Sequence, residues 1–299
     1  MSEEHHVAVG GSAESREPSL RGRPRRLILR RLRRSGAAKL GLVITVGLVV
    51  LAAGAPLFTR ADPTDMDSMS ILKPPSRAHP LGTDDFGRDV FSRVLYGGRI
   101  SILVGVVVAG VTTLTGVMFG ALAAFYRRLD NLIMRGMDIL MAFPEILLAL
   151  GVVAILGPQV VNIMIALIIP FTPRPARVVR GVILALKQQE FVEAARTVGA
   201  RDLRIITHHL LPNSLAPLLV QQTYILAIAI LAESALNFLG VGVPPEVPTL
   251  GGILSDSRVH LRNAPWMSLF PGTFITLLVL GFNLLGDGLR DVLDPRMRL

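Results

Sequence analysis

Three groups of residues in this chain are of types that could do chemistry. The first is the stretch EFVEAARTVGARDLRIITHHLLP, residues 190–212, which carries Glu190, Glu193, Asp202, three arginines and the adjacent His208 and His209. Neighbouring positions on a helix diverge by about 100°, so the two histidines cannot close on one metal ion from a helix. The second group is Asp84, Asp85 and Asp89, interleaved with Arg88 and Arg93. Its spacing is not that of a calcium loop, and the arginines supply counter-charges, so no metal site is assigned. Asp85-Phe86-Gly87 also spells the magnesium motif of protein kinases. No glycine-rich nucleotide loop or catalytic loop accompanies it, and the match is chance. The third group consists of carboxylates in apolar surroundings: Glu233, with Asn237 one turn further on, and Glu145 after Pro144.

No complete catalytic set is present. The chain has no cysteine, which removes disulfides, thiolate metal ligands and cysteine nucleophiles. The patterns GxxxxGK[ST], HExxH and GxSxG are absent. Any nucleotide hydrolysis that this chain depends on must occur on another chain, and no catalytic residue or cofactor is assigned to this one.

The elements that position these residues follow from composition. Of 299 residues, 51% are hydrophobic and 18% charged, against about 25% charged in a typical soluble domain. Mean hydropathy is +0.53. Residues 41–60, 101–126 and 146–173 form runs near the roughly 20 apolar residues that cross a bilayer. The chain reads as an all-α polytopic membrane protein. A net charge of +9 could point to nucleic acid, but aromatic residues are only 5% and the basic groups flank the apolar runs. Membrane orientation explains the excess, and nucleic acid is excluded as a partner.

Residues 1–24 are polar and aperiodic, and read as a disordered cytoplasmic tail. Residues 25–39 form a basic juxtamembrane segment before a first helix at 40–58. Arg25-Arg26 resembles a twin-arginine signal, but the further spans downstream favour an uncleaved first helix. An external segment follows at 59–97. A transmembrane core is expected over 98–290, with a cytoplasmic C-terminus at 291–299. Six helices are expected, near 40–58, 98–126, 134–156, 160–178, 215–238 and 268–286. A single helix over 139–173 would measure about 52 Å, too long for a core of about 30 Å, and Gly157-Pro158 offers a turn. Six spans also place most of the 31 lysines and arginines on the cytoplasmic side, together with both termini. Five spans would put residues 174–204, with their seven basic residues, outside.

Residues 190–212 then lie in a cytoplasmic loop at about 179–214, longer than a connection requires. Phe191, Ala195 and Val198 share one expected helical face. Gly199 stands where a helix ends in the left-handed conformation. A second short helix is expected from Asp202 to Leu211, stopping before Pro212. On these grounds alone, an interfacial loop without a partner and a docking element are both open.

The residues also resemble a known pattern. Glu193-Ala194-Ala195, then Gly199, then His209-Leu210-Leu211-Pro212 is similar to the EAA loop of ABC importer permeases. The external HPLGTDDFGRD, residues 79–89, and the C-terminal FNLLGDGLRD, residues 282–291, resemble C-type permeases of dipeptide, oligopeptide and nickel importers. The resemblance covers roughly residues 27–299. It implies the type I permease fold and a cytoplasmic coupling helix, with Glu193, Ala194, Ala195, Gly199, Arg201, Leu211 and Pro212 engaging a partner ATPase. It also implies a B-type permease partner, two ATPase subunits holding ATP and Mg, an external substrate-binding protein, and a bacterial cytoplasmic membrane. Di- or oligopeptides are the expected cargo. A nickel chelate is the alternative within the family, and a passive channel the alternative of another class.

Two features remain to be placed. Residues 83–97 can form an amphipathic helix with Phe86, Val90 and Val94 on one face. It could present Phe86, Arg88, Asp89 and Arg93 beneath the binding protein, or merely cover other helices. Glu233, Asn237 and Glu145 could line the translocation pathway, because intramembrane charges face a bundle interior or a water-filled cavity. Alternatively, Glu233 could bond to Asn237 or a neighbouring helix in a structural role.

Overall fold

A computed structural model describes residues 36–293, and their regular structure is helical apart from one isolated bridge between Thr83 and Asp89. The expectations for the tail 1–24, for the basic residues up to 35 and for residues 294–299 lie outside the described residues. Helix α1, Gly36–Ala53, is followed by α2, Val90–Phe125, then α3, Arg127–Ala142, and α4, Glu145–Leu156. Next come α5, Val160–Phe171, α6, Pro173–Leu186, and α7, Glu190–Thr197. The chain ends with α8, Leu211–Phe238, α9, Leu250–Ser257, and α10, Trp266–Leu293.

Four segments are each long and apolar enough to cross a bilayer: Gly36–Ala53, Val90–Phe125, Ile205–Phe238 and Trp266–Val292. They pack through small residues, as membrane helices do when there is no hydrophobic gain in leaving lipid. A Cβ at Gly41 of α1 would lie 2.7 Å from Leu284 Cβ of α10, so the two backbones meet there. A Cβ at Gly116 of α2 would lie 2.7 Å from Pro175 of α6.

The expected helix over 134–156 is two helices. α3 and α4 meet at 92° across Phe143-Pro144. Proline lacks the N–H that would continue the ladder, and it drives the preceding residue to an extended conformation, which Phe143 adopts at φ −95°, ψ 143°. α3 is held aside by ion pairs to α6: Asp130 accepts from Arg180 at 2.5 and 2.6 Å, and Asp138 from Arg177 at 2.5 Å.

The turn at Gly157-Pro158 is present. Gly157 has φ +89°, and Asn162 Nδ2 donates to the carbonyls of Leu156 and Gly157 at 2.8 and 3.0 Å. The two arms are short: α4 and α5 have 12 residues each, about 18 Å. The second arm continues, because Thr172 remains helical at φ −60°, ψ −36° and leads into α6. The helix expected at 160–178 therefore runs, with that junction, to Leu186.

The external segment departs most from expectation. No separate amphipathic helix occupies 83–97. Residues 83–89 form a tight loop, and α2 begins at Val90 and runs past Gly97 without a break. Asp84 Oδ1 accepts from the amides of Phe86 and Arg88, both at 2.9 Å, which turns the chain. Gly87 adopts φ +73°, with its Cα against the Asp67 carbonyl. Asp89 then caps α2 by accepting from Ser92 N at 2.8 Å. Gly97 and Gly98 serve close packing rather than termination: Gly97 abuts Thr249 and Leu250, and Gly98 abuts Phe274.

Candidate functional site

The loop between α6 and α8 is built on the ends of α2 and α6. Lys187 Nζ donates to the Ala124 carbonyl at 3.0 Å and sits 4.8 Å from the centre of the Phe125 ring, fixing where the loop begins. α7 follows, with Glu190 and Glu193 in its first turn and Arg196 in its last, the order the helix dipole favours. Its inward anchor is Val192, which is fully buried and belongs to one apolar cluster with Val179, Ile183, Ile205 and Leu210. Ala195 packs against that cluster.

The expected face of Phe191, Ala195 and Val198 is thus corrected. Val192 and Ala195 point inward, while Val198 is 87% exposed. Phe191, also exposed, has only the His209 ring beside it, 6.3 Å between centroids. The outward surface of α7 comprises Phe191, Glu193, Ala194, Arg196 and Val198.

Gly199 ends α7 as its position predicts. Its φ is +83°, its N–H donates to the Arg196 carbonyl at 2.9 Å, and Ala200 N–H donates to Ala195 O at 3.0 Å. The second arm does not stop before Pro212. A short helix, Asp202–Arg204, leads into a π-helical turn, Ile205–Leu210, and directly into α8. Leu211 N–H bonds to Ile206 O in the wide register. Pro212 lies in the first turn of α8, where a missing N–H is tolerated. Asn213 Nδ2 takes up the His209 carbonyl at 2.6 Å. Arg201 is exposed at the start of this arm, Leu211 is half-buried and Pro212 is exposed.

Glu233 and Asn237 are enclosed, 1% and 5% exposed. Ser101 of α2 donates to Glu233 Oε2 at 2.7 Å, and Asn237 Nδ2 donates to Oε1 at 2.6 Å. Asn237 Oδ1 accepts from Val243 N at 2.9 Å. The carboxylate ties α8 to α2 and to the outer loop, and is closed off from open space within the single chain. Glu145 lies elsewhere. It accepts from Arg174 Nε at 2.9 Å and forms an ion pair with Nη2 at 2.7 Å, and Arg174 Nη1 donates to the Tyr224 hydroxyl at 3.0 Å. Neither Arg174 nor Tyr224 stood out in the sequence, because each lies far along the chain from Glu145.

In the segment before α2, Arg88, Asp89 and Arg93 are buried, whereas Phe86 is exposed. Arg88 pairs with Asp84 at 2.6 Å and lies 3.6 Å from Asp256 of α9, while Arg93 lies 3.6 Å from Asp84. His79 meets Asp89 at 3.0 Å. These charges clamp the outer segment to α2 and α9. Burial pushes the Asp256 carboxyl above its ordinary range, against the opposing pull of Arg93. Among the described residues, no group of three or more His, Asp or Glu side chains is arranged to hold a metal ion.

The description of a binding-protein-dependent transport system inner membrane component fits residues 116–299, and that of the N-terminal TM domain of oligopeptide transport permease C fits residues 23–75. A putative peptide transport system permease protein of Brucella abortus is 48% identical over 282 residues, covering 94% of this chain and 95% of that protein. The dipeptide transport system permease protein DppC of Alkalihalophilus pseudofirmus is 45% identical over 276 residues, 92% of this chain and 91% of its own. The oligopeptide transport system permease protein OppC of Bacillus subtilis is 40% identical over 269 residues, 90% and 88%. With its several apolar spans and this extent of likeness, the chain belongs to the binding-protein-dependent transport system inner membrane components, as a multi-pass, non-catalytic permease subunit of the peptide branch of ABC transporters.

Proposed function

We propose that this subunit moves di- or oligopeptides into the cell across the bacterial cytoplasmic membrane, driven by ATP and Mg held on two partner ATPase chains. A B-type permease completes the translocation unit, and an external binding protein delivers the peptide. The observation that carries the coupling reading is the construction of α7. Its apolar inner face is anchored, its outer face is bare, and the arm beyond Gly199 is continuous with the membrane-crossing α8. A partner that displaces α7 therefore acts on α8 without an intervening flexible joint. Glu193 and Arg196 can pair with charges on that partner, and Ala194 allows close approach. Alternating access follows if this displacement tilts α8 against α2.

Six crossings, with both termini cytoplasmic, fit this arrangement. Four are the long apolar segments, α5 with α6 makes a fifth, and α4 with the bend at Pro144 completes the sixth. We read Glu233 and Asn237 as the lock that keeps α2 and α8 in register during this movement. Dipeptide and oligopeptide transport in the names of the relatives supports peptides over nickel chelates. The test is ATP-dependent peptide uptake into proteoliposomes holding both permeases and both ATPases, with and without the binding protein. Uptake that continues without ATP would instead identify a passive channel.

A further inference from the structure

The Arg174 triad puts a charge within the length of two apolar helices. α5 and α6 run almost continuously from Val160 to Leu186, and Arg174 falls about 21 Å from the outer end at 1.5 Å per residue. Tyr224 falls at a similar distance, about 21 Å, from Phe238 at the outer end of α8. Two helices thus place this contact independently about two-thirds of the way through a hydrocarbon core of about 30 Å. Yet the Arg174 and Glu145 side chains are 33% and 25% exposed in the single chain, and Tyr224 is 41% exposed. Such groups do not face lipid; they face protein or a water-filled cavity.

The geometry leaves part of the guanidinium free. Arginine has five N–H groups. Nε donates to Glu145 and one N–H of Nη1 to Tyr224, while Nη2 lies 2.7 Å from the same Glu145 oxygen. The fork keeps further N–H groups on its terminal nitrogens, charged donors of the kind that bind a carboxylate. Glu145 and Tyr224 hold this fork in orientation, and apolar Phe171, Ile225 and Ile228 lie around it, strengthening a polar contact made there. Glu145 already neutralises Arg174, so no opposite charge is required from a neighbouring subunit. An incoming carboxylate must share the guanidinium with Glu145, which keeps its binding weak enough for release, as passage requires.

We propose that Arg174, positioned by Glu145 and Tyr224, is the point in the translocation pathway that engages the C-terminal carboxylate of a passing peptide. The carboxylate is the one anionic group that peptides share whatever their side chains, so a single fixed arginine serves a mixed cargo. The inference rests on the transport reading above and adds to it a residue and a ligand group.

The test uses the full complex with its binding protein in proteoliposomes. Because the chain has no cysteine, Ile228→Cys gives one label site beside the triad. An anionic methanethiosulfonate reagent should reach it during ATP turnover, and a peptide with a free carboxyl terminus should slow labelling at least threefold. The same peptide amidated at its C-terminus should slow it less. Absence of labelling in every nucleotide state would overturn the proposal. Separately, Arg174→Gln combined with Glu145→Gln removes both charges together, leaves no unpaired partner charge and keeps the shape of Glu145. The ratio of free-acid to amidated peptide uptake should fall about tenfold from wild type, the binding protein's own preference cancelling. Equal losses for both peptides would assign the triad to the permease–permease contact and overturn the proposal. If the double variant fails to assemble, the labelling arm decides alone. If the wild-type complex imports neither peptide, the transport reading itself falls, a result distinct from either of these.

Discussion

Replacing Gly199 by valine and, separately, by asparagine isolates what this glycine does. Its φ is +83°, and no atom lies within 4 Å of the place a Cβ would occupy. An added side chain therefore meets open space, and its whole effect is the cost of the left-handed backbone. For valine that cost is about 1–3 kcal/mol, whereas asparagine visits this region readily. The loop escapes the strain by giving up the Gly199–Arg196 and Ala200–Ala195 bonds, after which α7 is held only by Val192 and Ala195. One to two kcal/mol changes a conformational population by a factor of roughly 5–30. Gly199→Val should therefore weaken ATPase association and binding-protein-stimulated ATP hydrolysis by about that factor in the purified complex, with membrane insertion intact. Gly199→Asn should stay within about twofold of wild type, since its backbone cost is a fraction of valine's. Equal damage from both substitutions would refute the conformational argument and point to a partner surface that touches Gly199 directly. Wild-type behaviour of Gly199→Val would return the loop to an interfacial segment without a coupling role.

Three further outcomes are expected. Cysteines placed singly at Ser76 and Thr197 should react only from outside and only from inside, respectively; external labelling of both would overturn the six-crossing arrangement and the cytoplasmic docking with it. Glu233→Gln can still accept from Asn237 and offer its amide to Ser101 Oγ, so complex yield and uptake should stay within about twofold, whereas Glu233→Leu strands two buried polar groups at about 1–3 kcal/mol each and should lower yield. A transport loss in Glu233→Gln with assembly intact would make the carboxylate a pathway charge instead. Burial raises the Asp256 carboxyl, so the fold favours its protonated form: that contribution is fully present at acid pH and is lost as pH rises through the raised value. Asp256→Asn should therefore raise the Tm of the complex at pH 8 and lose this advantage near pH 4; a lower Tm than wild type at pH 8 would refute the sign.

The features readable from sequence were those with a local cause. Gly199 and Gly157 both take the positive φ that their places between polar or apolar segments required. Where two local signals competed, the stronger physical constraint was not visible in the pattern. Phe86, Val90 and Val94 have helical spacing, but Asp84 closes a turn on the amides of Phe86 and Arg88, and the helix starts only at Val90. Gly97 stands at the end of that expected helix, yet its missing side chain makes room for Thr249 and Leu250. Hydropathy summed straight across Pro144, because an apolar window carries no information on direction, and the 92° bend went unseen. The partners of Glu145 were invisible for a related reason. Arg174 and Tyr224 reach it from other helices, and no periodicity within one segment encodes a contact between segments.

The π turn at Ile205–Leu210 has a consequence for azimuth. In an α-helix each residue advances the side-chain direction by about 100°, so one residue more or fewer before a fixed point rotates everything attached beyond it. A π turn absorbs an extra residue while the helix axis continues. The arm that bears α7 consequently leaves α8 on a different side of its axis than unbroken α-helical winding would dictate. Winding Ile205–Leu210 as ordinary α-helix with every residue kept would swing α7 around α8 by about 100°, carrying Phe191 and Glu193 away from their present bearing. The wide turn thus works as a clocking index between the α7 arm and α8. A push on that arm is delivered to α8 along one compass direction.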